Sequence, residues 1–454
     1  MVARKLPRLA VPLVLLWILL ANAGCGAGGP SAAAGSAPAA TSTIPAVAAA
    51  TAIPARATPT APIPAATTSA SASPTATSAA PPTSTKPPTQ PPLPPVPTAV
   101  PPRATPAATA TAESTTSVGV HREFVAEIAS GQLTGLQPTP DGKSVSLASQ
   151  AQGRYVAQGD ALSQPYQPGF RFNNLVLSWT AGAPAGTSLA FYARVQAGGQ
   201  WSGWYQMATW RDGRGASLGG QSDAWGKVAT DTLVLNRLAD AWQYRVVLAT
   251  TDATATPALR SVSVAIADTT RPPTGPAVAL AAGWARELNV PVESQAIQDP
   301  AVAWEICSPT SLTMTLRYLG TQVTLRQVYQ GVRDGTNGIY GNWPLNTAYA
   351  ATLGYDAYVA RLYALAQIKN EIAAGRPVPI SIKYQSGELP GAALNSTSGH
   401  FVVVRGFTAA GEVILNDPAA PGLSAVRRVV KAADLERVWL RSGGIAYMVA
   451  PAGQ

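Results

Sequence analysis

From about Gly26 to Val118 the chain consists almost wholly of Ala, Pro, Thr and Ser, and only Arg56, Lys86, Arg103 and Glu113 are charged. Prolines are densest in KPPTQPPLPPVPTAVPP. Each one fixes φ and removes a backbone donor, so neither helix nor sheet can propagate there. No apolar periodicity runs through the stretch, which cannot bury enough surface to offset the entropy of ordering it. Folded structure must therefore lie outside it, chiefly in the long C-terminal part. As a random coil the segment spans roughly 50–60 Å, and as a polyproline-like rod about 280 Å. Such reach suits a tether that holds a payload away from a membrane, and its Thr and Ser density leaves O-glycosylation open.

Ahead of the tether, Arg4, Lys5 and Arg8 precede the apolar run Leu9–Ala21, and LLANAGCG leads to Cys25. This is the build of a secretory signal. It resembles a bacterial lipoprotein signal, in which the cysteine after a small residue is lipidated and becomes the mature N-terminus. Ala23 and Gly24 fit that pattern, whereas Asn22 stands where a Leu-like residue is usual. The alternative is plain secretion with cleavage near Ala23. The apolar run is shorter than the ~20 residues that span a bilayer. The expected organisation is therefore a signal over 1–25 with Cys25 as lipidation site, and a disordered tether over 26–118. The expected location is extracytoplasmic, anchored by lipid to the bacterial cell membrane or otherwise secreted, with membrane contact through the lipid alone.

The net charge of +9 is spread along the chain rather than clustered on one face, as a nucleic-acid binder would require. Nucleic acid is therefore not an expected partner. The chain has two cysteines and two histidines, His121 and His400, too few and too isolated for a zinc site or a disulfide framework. No cofactor or metal is expected, although a carboxylate-only calcium site stays open.

Residues 119–268 read as β. NNLVLSWTA, TSLAFYARVQA, WSGWYQMATW, DTLVLNRL and WQYRVVLATT are short alternating or aromatic runs, punctuated by Gly, Pro, Asp and Asn. Strands at this spacing suggest an all-β sandwich or jelly roll. Trp201, Trp204, Tyr205 and Trp210 admit two readings: sugar-stacking platforms of a binding module for cell-wall glycan, or core aromatics. RDGRGASLGGQSDAWG reads as a polar loop at one end. The Pro-rich TTRPPTGPAV, Thr269–Val278, is a hinge to a further domain over 279–454. There ELNVPVESQ reads as a strand and turn, and helices are expected at Cys307, at TLRQVYQGV, at WPLNTAYAATLG and at LAQIKNEIAAG. The strands PVPISIKY, HFVVVRGF, EVILNDP and GIAYMVA follow, an α+β order.

In EICSPTSLTMTLRYLG, Pro309 suits the first turn of a helix, and Leu312, Leu316 and Leu319 share one face. Cys307 thus sits at a helix N-terminus, where the dipole favours a thiolate. His400 opens HFVVVRGF, and a hairpin follows through TAAG. If Phe407 pairs with Glu412, Asp417 falls opposite Val402. It then shares a face with His400 as its diagonal neighbour, at about 7–8 Å between Cα atoms, while Asn416 points to the other face. A nucleophile, a base and its orienter are the three parts a thiol enzyme needs.

With these residues in hand, VPVESQ, CSPTS, GHFVVVRGF and LNDPA together resemble the papain-like cysteine peptidases of family 39, the bacteriocin leader-processing group with its stand-alone secreted relatives. The likeness covers roughly Glu287 to Ala450. It implies Cys307 as nucleophile, His400 as base and Asp417 as orienter. It also implies Gln295 as oxyanion donor, with Gln298 a rival because AIQDPAVAWEI separates Gln295 from Cys307. NGIYGNWP offers Tyr340 and Trp343 to a substrate cleft or to the core.

The fold expected is an α+β papain-like peptidase domain at the C-terminus, preceded by an all-β sandwich and the tether. The function expected is peptide-bond hydrolysis on a peptide or protein substrate. A peptidoglycan amidase or endopeptidase, a transglutaminase-like acyl transferase and a non-catalytic peptide- or glycan-binding surface lipoprotein are the other readings. Cys25→Ser is expected to move the protein from membranes to the medium, and labelled fatty acid is expected to enter only the wild type. A wild-type protein that never takes up the label would mean plain secretion.

Overall fold

The computed structural model describes residues 114–453. The signal with Cys25 and all but the last residues of the tether lie outside them. Residues 114–117 already run beside the linker after residue 268: Ser117 N–H donates to Thr274 O, and Arg271 donates to the carbonyls of Ser114 and Thr116.

Two seven-stranded antiparallel sheets form the first part. In one, Gly226–Ala229, Thr232–Ala239, Phe172–Gly182, Ala258–Ala267, Val145–Leu147 and Leu136–Pro138 lie in that order, and Val118–Phe124 also pairs with Ala258–Ala267. The other runs Arg214–Ala216, Tyr205–Arg211, Thr187–Ala197, Ala241–Thr250, Gln158–Leu162 and Gln132–Thr134, with Gln200–Trp201 added to Thr187–Ala197. Leu189, Phe191, Ala193 and Val195 alternate into the core, as a strand with one buried face must. Trp179 of the first sheet stacks on Phe191 of the second with centroids 4.0 Å apart. Tyr205 and Trp210 belong to this core, whereas Trp201 and Trp204 both lie against the guanidinium of Arg194.

The second part is built on a six-stranded antiparallel sheet in the order Tyr355–Arg361, Ile445–Pro451, Val378–Tyr384, Thr397–Phe407, Val413–Asn416, Arg427–Val430. Helices Cys307–Tyr318, Leu325–Val332, Trp343–Thr352 and Leu365–Ala373 stand where expected. Thr324 caps the second of these through Gln327, and Asn342 caps the third through Leu345. The strands Tyr355–Arg361 and Arg427–Val430 and the helix Ala432–Arg441 are additions to the sequence reading. The helix has Leu435, Val438 and Trp439 buried at helical spacing. ELNVPVESQ does not make a regular strand; it contributes one bridge, Glu287 to Gly406, and a single 3₁₀ turn at Gln295–Ile297.

The two parts share their cores. Leu345 and Ala348 of the third helix pack within the sandwich cluster, while Val176 and Ala265 of the sandwich pack within the cluster around Cys307. A Cβ on Gly215 would come within 2.1 Å of the Leu345 side chain, so the edge strand and the helix meet only because that residue is Gly. Ser178 Oγ accepts the Val359 N–H, Arg122 pairs with Asp356 at 2.6 Å, and Arg260 donates to Ala351 O. Thr269–Val278, read from sequence as a hinge, is tied down on this structure: Thr269 bonds Asn173 and Thr274 bonds Ser117.

Leu345→Ala is expected to destabilise the protein by about 2–5 kcal/mol, in one urea transition reported alike by tryptophan fluorescence and circular dichroism. A loss below about 1 kcal/mol, or two separate transitions, would mean that the cores fold independently.

Candidate active site

The site rests on the pairing of Thr397–Phe407 with Val413–Asn416. Phe407 pairs with Val413 rather than Glu412, so the connection holds one residue more than expected, closed by Thr408 N–H to Glu412 O. A bulge at Arg405 then absorbs the extra residue, and Val403 faces Asn416. The register at the site end is therefore the one that sets Asp417 beyond Val402. Arg405 is held by Leu288 O, Asn416 Oδ1 and an ion pair with Glu287 at 3.2 Å. At Gly406 a Cβ would meet Arg286 O at 2.4 Å, so only Gly lets the incoming chain cross the bulged strand.

This geometry brings His400 Nε2 to 2.8 Å from Asp417 Oδ1, with both side chains buried. Asp417 also accepts the Ala419 N–H on Oδ1 at 3.0 Å and the Ala393 N–H on Oδ2 at 2.9 Å. Burial alone would raise the carboxyl. The His400 charge and hydrogen bond, with those two N–H groups, outweigh it and hold Asp417 below the usual carboxylate range. An ionised carboxylate only accepts, so His400 Nε2 carries the proton in this bond and Nδ1 is left as the basic nitrogen. Asn416 turns instead to Val290, Pro291 and Met314.

Cys307 is the first residue of the helix Cys307–Tyr318 and is buried. Ser311, one turn on and hence on the same face, donates to the carbonyl of Phe401, the residue after His400. Ser308 bonds Tyr447 at 2.8 Å, and Tyr447 stacks on Phe401 with centroids 4.5 Å apart. The helix start is thus fastened to the His400 strand from two directions.

Gln295 is buried, and its N–H donates to Pro418 O, next to Asp417. Its side-chain nitrogen donates to Ala303 O at 2.7 Å, while Oε1 has no partner among the described residues. An amide nitrogen carries two donors, of which Ala303 takes one. Gln298 is turned toward Ser294 O and Glu293, and Glu293 pairs with Arg317 at 2.8 Å. Tyr340 is buried in the cluster that contains Cys307, edge-on to Tyr329, and the half-buried Trp343 packs against the same cluster. The sequence reading missed the two backbone donors to Asp417. Ala419 is the near side of a turn that NDPA itself implies, but Ala393 lies 24 residues away and leaves no local signal.

Residues 287–447 match the family model described as Peptidase_C39 like family. Over those residues the C-terminal domain is similar to C39-like peptidases. The all-β region before it, residues 111–267, matches the model described as Peptidase C39 N-terminal domain. No curated protein is significantly similar to the chain. Among solved structures, a protein described as a C39-like peptidase from Bacillus anthracis is 20% identical, over 37% of this chain and 96% of its own, with a TM-score of 0.29. A structure of infectious bursal disease virus Gx strain is 11% identical over 38% and 39% of the two chains, with a TM-score of 0.19. The CBM22-1 and GH10 modules of a Clostridium thermocellum endo-1,4-β-D-xylanase complexed with xylohexaose are 10% identical over 50% of each chain, with a TM-score of 0.14.

The Asp417 shift fixes a pH dependence. Its folded-state value lies below that of an unfolded Asp, so its contribution to stability is present above about pH 4 and is lost as pH falls through the folded value. Asp417→Asn is therefore expected to be less stable than wild type at neutral pH and to converge on it in acid, as measured by urea unfolding across that range. A gap that stays constant with pH would show that this carboxyl titrates alike in the folded and unfolded chain, and a gap that widens in acid would show that the fold keeps it neutral.

Proposed function

We propose that this chain is an extracytoplasmic, lipid-anchored cysteine peptidase in which Cys307 is the nucleophile, His400 the general base and Asp417 its orienter. The observation that carries the reading is the buried His400–Asp417 hydrogen bond, which leaves Nδ1 as the basic nitrogen on a strand fastened to the start of the Cys307 helix. Reduced Cys307 gives its proton to Nδ1, and the thiolate adds to the carbonyl carbon of the scissile peptide bond. The oxyanion that forms is met by the first-turn N–H groups of the helix and by the second Gln295 donor. The imidazolium returns its proton to the amine as the C–N bond breaks. Water, deprotonated by the same imidazole, then hydrolyses the thioester and releases the acid product. Tyr340 and Trp343 flank the cleft, and the expected substrate is a peptide or protein at the cell surface.

With the protein reduced, iodoacetamide is expected to modify Cys307 quickly near neutral pH, because a thiolate paired with imidazolium at a helix N-terminus has a depressed pKa. His400→Ala is expected to slow labelling sharply and abolish peptide turnover. Asp417→Asn should reduce turnover more than labelling. Gln295→Ala should lower kcat by about 10²–10³-fold. Were Cys307 to label only after denaturation, at a rate indifferent to His400, it would be a structural cysteine and the peptidase reading would fall.

A further inference from the structure

The loop between the helices Leu325–Val332 and Trp343–Thr352 carries Tyr340 and ends at Trp343, yet its anchors lie largely in the sandwich. Asp334 is fully buried and collects five donors. Ser217 Oγ reaches Oδ2 at 2.5 Å and Asn342 Nδ2 reaches it at 2.9 Å. The N–H groups of Ser217, Thr336 and Asn337 reach Oδ1 at 3.1, 2.9 and 3.3 Å. Burial works against this charge, and Ser217, Thr336 and Asn342 outweigh it, holding Asp334 below the usual carboxylate range. Ser217 is used on every side: its carbonyl accepts the Thr336 hydroxyl at 2.6 Å, and its Oγ also accepts from Asn337 Nδ2 at 2.7 Å. Gly335 N–H bonds Gly215 O at 3.0 Å.

A carboxylate of the sandwich closes the far end. Buried Asp231 accepts the Trp343 N–H at 2.8 Å, at the first residue of the helix. Between the anchors, Tyr340 sits in the apolar cluster of Ile306 and Cys307, and its carbonyl is held by Asn346 Nδ2. A loop left to itself would satisfy its polar groups with water. Here several of them, at Asp334, Gly335, Thr336, Asn337 and Trp343, are met by the sandwich, and its buried Ser217 and Asp231 cannot exchange partners cheaply.

We propose that the sandwich is a fixed wall of the peptidase site, whose Ser217 and Asp231 are positioning residues that set the Asp334–Trp343 loop and thereby substrate capture beside Cys307. This gives the N-terminal domain a role in the peptidase itself, and its catalytic half rests on the function proposed above. The wall acts on the shape of the cleft and not on the thiol, so capture and chemistry should separate.

The test uses the full chain carrying Ser217→Ala, Ser217→Thr or Asp231→Asn. Amide hydrogen exchange at Gly335, Thr336 and Asn337 is expected to quicken by about tenfold in Ser217→Ala. Exchange in Cys307–Tyr318 should stay as in wild type, and Ser217→Thr should restore the loop. Against peptide, Ser217→Ala and Asp231→Asn should raise KM severalfold with kcat and Cys307 alkylation nearly unchanged. Unchanged loop exchange in folded Ser217→Ala overturns the wall whatever the activity. Equal quickening throughout the chain would overturn it too, since that marks a merely structural residue. If loop exchange responds but wild type turns over no peptide, the wall stands and the peptidase reading fails. If wild type is active and KM does not move, capture by this loop is wrong.

Discussion

A carboxylate buried without charge compensation is unstable, and the candidate site depends on how Asp417 meets that constraint. Three donors converge on it, one from the imidazole and two from backbone N–H groups. Each demands a piece of architecture. The imidazole demands a register that sets residue 417 beyond Val402, which the Arg405 bulge supplies. The bulge in turn demands a partner for its guanidinium and room for a crossing chain, met by Glu287, Asn416 and the bare Cα of Gly406. The N-terminal segment of the domain is thereby stitched onto the strand that bears His400. The electrostatics of one carboxylate and the path of the chain are the same problem.

The second constraint is apolar. Neither part of the molecule closes its core alone, because Leu345 and Ala348 complete the sandwich while Val176 and Ala265 complete the cluster around Cys307. A six-stranded sheet whose first strand, Tyr355–Arg361, would otherwise be a bare edge rests instead beside the sandwich, with Ser178 taking the Val359 N–H. Covering an edge in this way removes a site for unwanted strand pairing. It also makes the N-terminal domain part of the framework that carries the candidate site.

Much of this was legible in the sequence, for identifiable reasons. Two helix starts were readable because Pro309 and Pro344 suit a first helical turn, whereas the cap at Thr324 emerged only in the structure. The His400–Asp417 pair was readable because a hairpin has few registers, although the turn came out one residue longer and the bulge compensated. The strand at Tyr355 was passed over even though Tyr355, Ala357 and Val359 alternate into the core. What could not be read were relations between distant segments: Ala393 on Asp417, Ser217 on Asp334, Asp231 on Trp343. Each joins residues of ordinary type with no spacing to announce them. The Pro-rich linker misled for a related reason, since composition marks a segment that cannot make regular structure but not one pinned by its neighbours.

The central claim is that Asp417 is ionised and holds His400 in the tautomer that leaves Nδ1 free to take a proton. Nitrogen-15 NMR of the imidazole in the reduced wild-type protein tests it directly. The account predicts a protonated Nε2 coupled to its hydrogen at neutral pH, with that signal lost in Asp417→Ala. An unprotonated Nε2, with the hydrogen on Nδ1, would mean that Asp417 donates as a neutral acid. His400 could not then act as the base, and the site as described would be contradicted.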